Sequence, residues 1–299
     1  MLELAWHGVF PALITPFTNN DKPDLQLFQK NLDAQLAAGI HGIVLAGSLG
    51  EASSLEEDEK ETLVRTALQK INGKIPVILN IAEGSTKQAL RQTALAKSWG
   101  VNGIMLLPPM RYKADDSETV EFFKTVANST DLPIMIYNNP VDYKIDVTIG
   151  MFEELLGCKN ITAVKESTRD VTNVTRMRNR FRDRYKILCG VDTLAMEELL
   201  LGADGWVAGL VCAFPKETVT IYNLVKQGKI DEARAIYRWF MPLLELDIHP
   251  KLVQYIKLAA AQTGLGSENV RAPRLKLAGD ERKKIMDIIM HGIKTRPKL

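Results

Sequence analysis

A (β/α)₈ barrel is the architecture this sequence predicts. Three observations carry the prediction: short apolar runs alternate with amphipathic stretches over residues 1–230, the runs number eight, and a Gly-x-x-Gly repeat joins helix to strand at several of the junctions. Alternation favours a parallel sheet, and eight strand-helix units can close one.

The predicted strands are Gly8 to Ile14, Gly42 to Ala46, Pro76 to Ile81, Gly103 to Leu107, Pro133 to Tyr137, Ile161 to Lys165, Lys186 to Gly190 and Gly205 to Gly209. Each is too short for a helix, and most are rich in Val, Ile and Leu. Between them Asp24 to Ala38, Leu55 to Lys70, Thr86 to Trp99 and Ser117 to Asn128 place apolar residues at helical spacing and end on Gly or Asn. The repeat reads Gly39-Ile-His-Gly42, Gly100-Val-Asn-Gly103 and Gly202-Ala-Asp-Gly205. Its first glycine suits a left-handed helix cap, and its second is expected to let the chain turn tightly into the barrel wall. After the eighth unit, Asp231 to Leu246, Lys251 to Thr263 and Asp280 to Ile293 are helical in pattern. With no Ser/Gly/Pro-rich linker before them, residues 231–299 read as a three-helix appendage packed on a catalytic barrel of residues 1–230.

Bulk properties narrow the function. The chain has 299 residues, 38 basic and 36 acidic, for a net charge of +2. Charges of both signs are mixed throughout, which leaves no basic face for nucleic acid or for a membrane surface. No apolar run reaches the ~18–20 residues of a transmembrane helix, and Met1 to Asp21 has no leader-like pattern, so the expected location is cytoplasmic. Cys158, Cys189 and Cys212 lack disulfide or zinc spacing, and His7, His41, His249 and His291 lack metal-pair spacing. No metal and no organic cofactor are expected.

Catalytic groups of such a barrel project from the C-terminal strand ends. Lys165 ends the sixth strand. It is either a rim residue paired to a carboxylate such as Glu166, or a buried amine whose lowered pKa fits it to attack a carbonyl or imine carbon. Tyr137 ends the fifth strand, as a core phenol or as a proton relay to the neighbouring amine. After the second strand, Gly47-Ser48-Leu49-Gly50-Glu51 is a glycine-flanked turn whose N–H groups and hydroxyl suit a carboxylate. Strand seven ends in Gly190-Val191-Asp192 and strand eight in Gly209. Gly190 is placed to present a carbonyl near the amine. Asp192 is placed either to accept from a substrate hydroxyl or to cap the helix beginning at Thr193.

These stretches resemble the dihydrodipicolinate synthase/N-acetylneuraminate lyase superfamily of Schiff-base-forming barrels. The likeness rests on Gly47-Ser48-Leu49-Gly50-Glu51, Tyr137-Asn138-Asn139-Pro140, Val164-Lys165-Glu166-Ser167 and Cys189-Gly190-Val191-Asp192, in order and at family spacing. It implies that Lys165 forms the imine, Tyr137 shuttles protons, and the Ser48–Leu49 turn cradles the substrate carboxylate. It also implies a homo-oligomer, dimer or tetramer. Departures narrow the reaction. Asp142 stands where the synthases carry the arginine for their second substrate, Ser48 and Leu49 replace their paired threonines, and their cross-subunit tyrosine falls at Arg111, with Tyr112 next. The chain is more similar to Δ1-pyrroline-4-hydroxy-2-carboxylate deaminases, through those motifs together with Tyr112-Lys113-Ala114-Asp115, Gly205-Trp206-Val207-Ala208-Gly209 and residues 251–257. The alternatives are a pyruvate-type aldolase or 2-keto-3-deoxy sugar acid dehydratase and, from another class, a non-catalytic binding barrel.

Overall fold

The computed structural model describes residues 4–109 and 112–299. Among them, eight parallel strands form one sheet: β1 (Gly8–Pro11), β2 (Ile43–Leu45), β3 (Val77–Ile81), β4 (Gly103–Leu106), β5 (Ile134–Asn138), β6 (Ile161–Glu166), β7 (Lys186–Cys189) and β8 (Gly205–Ala208). The order is β1-β8-β7-β6-β5-β4-β3-β2, and a bridge between Ala12 and Val44 joins the two ends. This is the (β/α)₈ barrel that the alternation predicts. Six of the observed strands are one to three residues shorter than the predicted apolar runs, because the end residues turn into loops, whereas β5 is shifted by one residue and β6 runs one residue further, to Glu166.

The helices between the strands are α1 (Leu25–Ala38), α2 (Glu57–Ile71), α3 (Thr86–Trp99), α4 (Asp116–Asn128), α5 (Pro140–Tyr143), α6 (Ile149–Glu154), α7 (Thr172–Phe181), α8 (Ala195–Leu200) and α9 (Pro215–Lys226). Their termini follow the capping rules. Asp24, Ser85 and Asp115 accept backbone N–H bonds at the starts of α1, α3 and α4, and Glu118 closes a capping box with Asp115. On α4 the buried stripe is Val120, Phe123, Val126 and Ala127, spaced to face the sheet. Burying each large side chain of such a stripe contributes about 1.5–3 kcal/mol.

The Gly-x-x-Gly repeat has a different second half from the one expected. Gly39 and Gly100 are left-handed helix caps, at φ 82° and 89°. The later glycines are needed for close approach, not for a tight turn. A Cβ on Gly205 would lie 2.5 Å from the Gly8 carbonyl, and one on Gly42 would lie 2.2 Å from the Phe10 ring.

Three helices follow the barrel: α10 (Ile230–Leu244), α11 (Leu252–Gln262) and α12 (Gly279–Lys294). Pro242 donates no amide hydrogen in the last turn of α10, and the chain then tightens into a 3₁₀ turn over Glu245–Ile248. That turn reaches the mouth of the barrel. The Lys257 ammonium on α11 is bonded to Glu51 and to the Thr15 carbonyl, so the appendage is tied beneath the loop after β2. No helix of the described residues is long and apolar enough to cross a membrane.

Candidate active site

The cavity lies at the C-terminal ends of the strands, and Lys165 stands in its wall. β5 and β6 are paired in register with Tyr137 beside Lys165, so both side chains fall on the inner face of the sheet. The Lys165 Nζ sits 4.0 Å from the centre of the Tyr137 ring, and the residue is 7% exposed. It makes no hydrogen bond to any described residue. Burial pushes its pKa below the ordinary lysine value, only partly opposed by Tyr143, Asp247 and Asp192. A lysine held this way is neutral more readily than one in water and can act as a nucleophile.

Glu166 is not its partner. Successive strand residues face opposite sides, and the Glu166 carboxylate accepts from the Thr168 amide and Asn173 Nδ2, each at 2.7 Å, in the layer outside the sheet. The rim-pair alternative for Lys165 therefore lacks its pair.

Gly190 makes room for the lysine. A Cβ there would fall 2.6 Å from Lys165 Cε and 2.2 Å from Ser167 Oγ. Any larger residue would displace the amine. Sequence reasoning assigned Gly190 a carbonyl contact and overlooked this steric requirement.

Tyr137 is buried, and its hydroxyl accepts from Asn139 Nδ2 at 3.2 Å. Burial raises its pKa to about 12, so the phenol keeps its proton at neutral pH. Its ring meets that of Tyr143 edge-on at 5.6 Å. Tyr143, on the four-residue helix α5, hydrogen-bonds Ser48 through its hydroxyl at 2.6 Å. The sequence reading missed this tyrosine. Its position six residues after Tyr137 was the available signal.

The turn after β2 places Ser48 and Leu49 in the cavity lining. Glu51, which follows in a left-handed conformation at φ 57°, is fully buried and accepts from Lys257 and from the Arg271 amide. Those bonds fix the turn from beneath. Gly209 also lines the cavity.

Asp192 requires a correction. Its carboxylate accepts from Trp206 Nε1 at 2.9 Å, from the Gly209 amide at 3.1 Å and from the Leu210 amide at 2.7 Å. The group is fully buried under the end of β8 and does not line the cavity. Its side chain caps neither the following turn nor the helix after it, contrary to the capping alternative. Asp192 instead shapes the loop that carries Gly209.

Two other carboxylates do line the cavity, Asp142 and Asp247. Asp142 follows the Asn-Pro turn and accepts from Asn139 Nδ2 at 2.7 Å. Asp247 comes from the 3₁₀ turn of the appendage. Tyr112 is 57% exposed and lines no part of this cavity, and Arg111 falls outside the described residues. Among the described residues, no group of three or more His, Cys, Asp or Glu side chains is placed to hold a metal ion.

The model of the dihydrodipicolinate synthetase family matches residues 5–292. The chain belongs to this family. It is therefore an enzyme, a class I lyase working through a lysine Schiff base. It is 33% identical over 273 residues to the 4-hydroxy-tetrahydrodipicolinate synthase of Exiguobacterium sibiricum, covering 90% of this chain and 91% of that one. The Methanospirillum hungatei synthase of the same name is 30% identical over 271 residues, covering 90% and 93%. Among solved structures, the 4-hydroxy-tetrahydrodipicolinate synthase of the methanotroph Methylacidiphilum fumariolicum SolV superposes with a TM-score of 0.90 at 28% identity, covering 97% and 98%. These relatives are named as synthases, not as deaminases.

Proposed function

We propose that the protein is a deaminase of Δ1-pyrroline-4-hydroxy-2-carboxylate, with Lys165 as the imine-forming residue. The observation that carries this reading is a carboxylate, Asp142, in the cavity lining at the position where the resembled synthases carry an arginine. Asp247 lines the cavity too, while Arg169 stands elsewhere in the same lining. A second substrate bearing a carboxylate is repelled at Asp142, whereas an amine is attracted.

The Lys165 Nζ adds to C2 of the cyclic imine, the ring C2–N bond breaks as the ring nitrogen takes a proton, and an open-chain Schiff base with a C5 amine results. The Ser48–Leu49 turn holds the substrate carboxylate. The protonated imine draws electrons from C3, so a C3 proton and then the C4 hydroxyl leave as water. Tyr137, protonated and beside the amine, is the relay for these transfers. Isomerisation carries the double bond to C5 as an imine. One water releases ammonia at C5, and a second hydrolyses the Lys165 imine to yield 2,5-dioxopentanoate. The balance is one substrate and one water in, one ammonia and one dioxo acid out, and the steps call on no metal or organic cofactor.

The names of the relatives favour a second reading, condensation of pyruvate with an aldehyde by the same lysine. One substrate panel separates the two. Ammonia release from the cyclic imine with poor consumption of pyruvate and aspartate semialdehyde supports the deaminase, and efficient condensation without ammonia release overturns it. Arg111 and Tyr112 enter this proposal only as groups a neighbouring subunit would bring to the mouth of a dimer or tetramer. Sedimentation across a concentration series measures that assembly.

A further inference from the structure

Asp247 belongs to no motif that led to the site, and the turn carrying it lies beyond the barrel, yet its carboxylate lines the same cavity as Lys165. Gly209 is what admits it: a Cβ on Gly209 would stand 2.4 Å from Asp247 Oδ1. Its neighbours leave it acceptor capacity. Asp192 supplies one backbone hydrogen bond and otherwise opposes it with like charge, while one oxygen of Asp142 already accepts from Asn139. Burial and the Asp192 and Asp142 charges disfavour ionised Asp247, and Lys165 opposes them. A cation brought into the cavity therefore meets a carboxylate whose ionisation it would itself stabilise.

We infer that Asp247 is a specificity-determining residue that pairs with a protonated amine at the far end of an enzyme-bound 2-imino acid, selecting substrates that carry nitrogen there. This rests on the deaminase reading for the identity of that amine. Ring opening by Lys165 breaks the C2–N bond and leaves the nitrogen on C5, where proton uptake makes it an ammonium, and the ion pair with Asp247 keeps that amine from closing again onto C2. A substrate with a methyl group in that place leaves the carboxylate unpaired.

The test needs no turnover. Δ1-Pyrroline-2-carboxylate, the cyclic form of 5-amino-2-oxopentanoate, lacks the 4-hydroxyl and so stops at the Schiff base. Borohydride inactivation with it is compared with inactivation by 2-oxopentanoate, in the native enzyme and in Asp247→Asn. The native enzyme should be half-inactivated at a concentration at least about tenfold lower with the nitrogen compound, and the preference should vanish in Asp247→Asn, as expected for a desolvated ion pair losing one charge. Pyruvate trapping at Lys165 in each protein is the reference to which both compounds are normalised, because Asp247 acts on the Lys165 charge and its loss shifts imine formation with every substrate alike. Equal trapping of the two compounds by the native enzyme overturns the inference, and so does a preference that survives in Asp247→Asn. Ammonia release from the 4-hydroxylated substrate is scored separately, so a native enzyme that prefers the amine yet frees no ammonia retains the Asp247 inference and loses the deaminase reading.

Discussion

Lys165 and Lys257 are both buried lysines, and they differ in what meets the ammonium. Lys257 is fully enclosed, bonded to the Glu51 carboxylate and, at 2.8 Å, to the Thr15 carbonyl, with the Phe17 ring 4.4 Å away. Lys165 has an aromatic ring at similar range and no hydrogen bond among the described residues. Burial lowers both pKa values, that of Lys257 to about 8. The difference lies in compensation: hydrogen bonds donated to a carboxylate and a carbonyl make a buried lysine a structural tie, and their absence leaves an amine free to react.

The strongest test of that contrast is Lys165→Ala. Turnover should fall by on the order of 10⁴-fold or more, equivalent to about 5.5 kcal/mol of barrier, with the borohydride adduct lost and the thermal midpoint nearly unchanged. A variant that still formed the adduct on another lysine would dissolve the contrast. The same contrast has a pH signature. Protonated Lys165 is no nucleophile, so kcat/KM should rise with pH through its depressed pKa and level off below the ordinary lysine value of about 10.4. A limb that kept climbing to that value would place the amine in solvent.

Lys257→Met should act on stability first. It leaves the buried Glu51 with only the Arg274 guanidinium, 3.8 Å away, in place of its bonded ammonium, a loss of about 3 kcal/mol by chemical denaturation. Adding Glu51→Gln should restore much of this, because the pair is then replaced and not broken. If Lys257→Met instead left stability intact and abolished imine formation, the two lysines would have exchanged roles.

Tyr137→Phe keeps the ring against Lys165 and deletes the hydroxyl. We expect kcat to drop roughly 10²-fold, about 2.7 kcal/mol, with KM within a few-fold. A rise in KM alone would make the phenol a binding group. Ser48→Ala is the smallest change. Backbone donors of the turn remain, so KM should increase a few-fold with kcat nearly constant, less than about 1 kcal/mol; the Tyr143 hydroxyl loses its partner in the same variant.

What was legible in the sequence divides along the same line. The barrel could be read because each strand is a short apolar run bounded by turn residues, and Lys165 and Tyr137 could be found because strand ends in such a barrel face a common mouth. Asp192 was misread for the same reason: its place at the end of β7 suggests the mouth, yet its side chain is drawn under β8 by Trp206 and two amides, bonds that no local pattern announces. Asp247 lies in a 3₁₀ turn with no periodic signal, and Tyr143 on a helix of four residues. Glu51 and Lys257 are 206 residues apart in the chain, so nothing local in the sequence shows either as the other's counter-charge.

That separation bears on how the enzyme comes into being. Glu51 is synthesised early and its cation late, and Asp247 emerges only after every strand has left the ribosome. A nascent barrel therefore carries the nucleophile and the phenol while its cradle is unbraced and its acidic wall is missing. Docking of the last helices braces the cradle through Lys257 and brings Asp247 to the cavity, so both arrive only in a chain whose translation has passed the appendage.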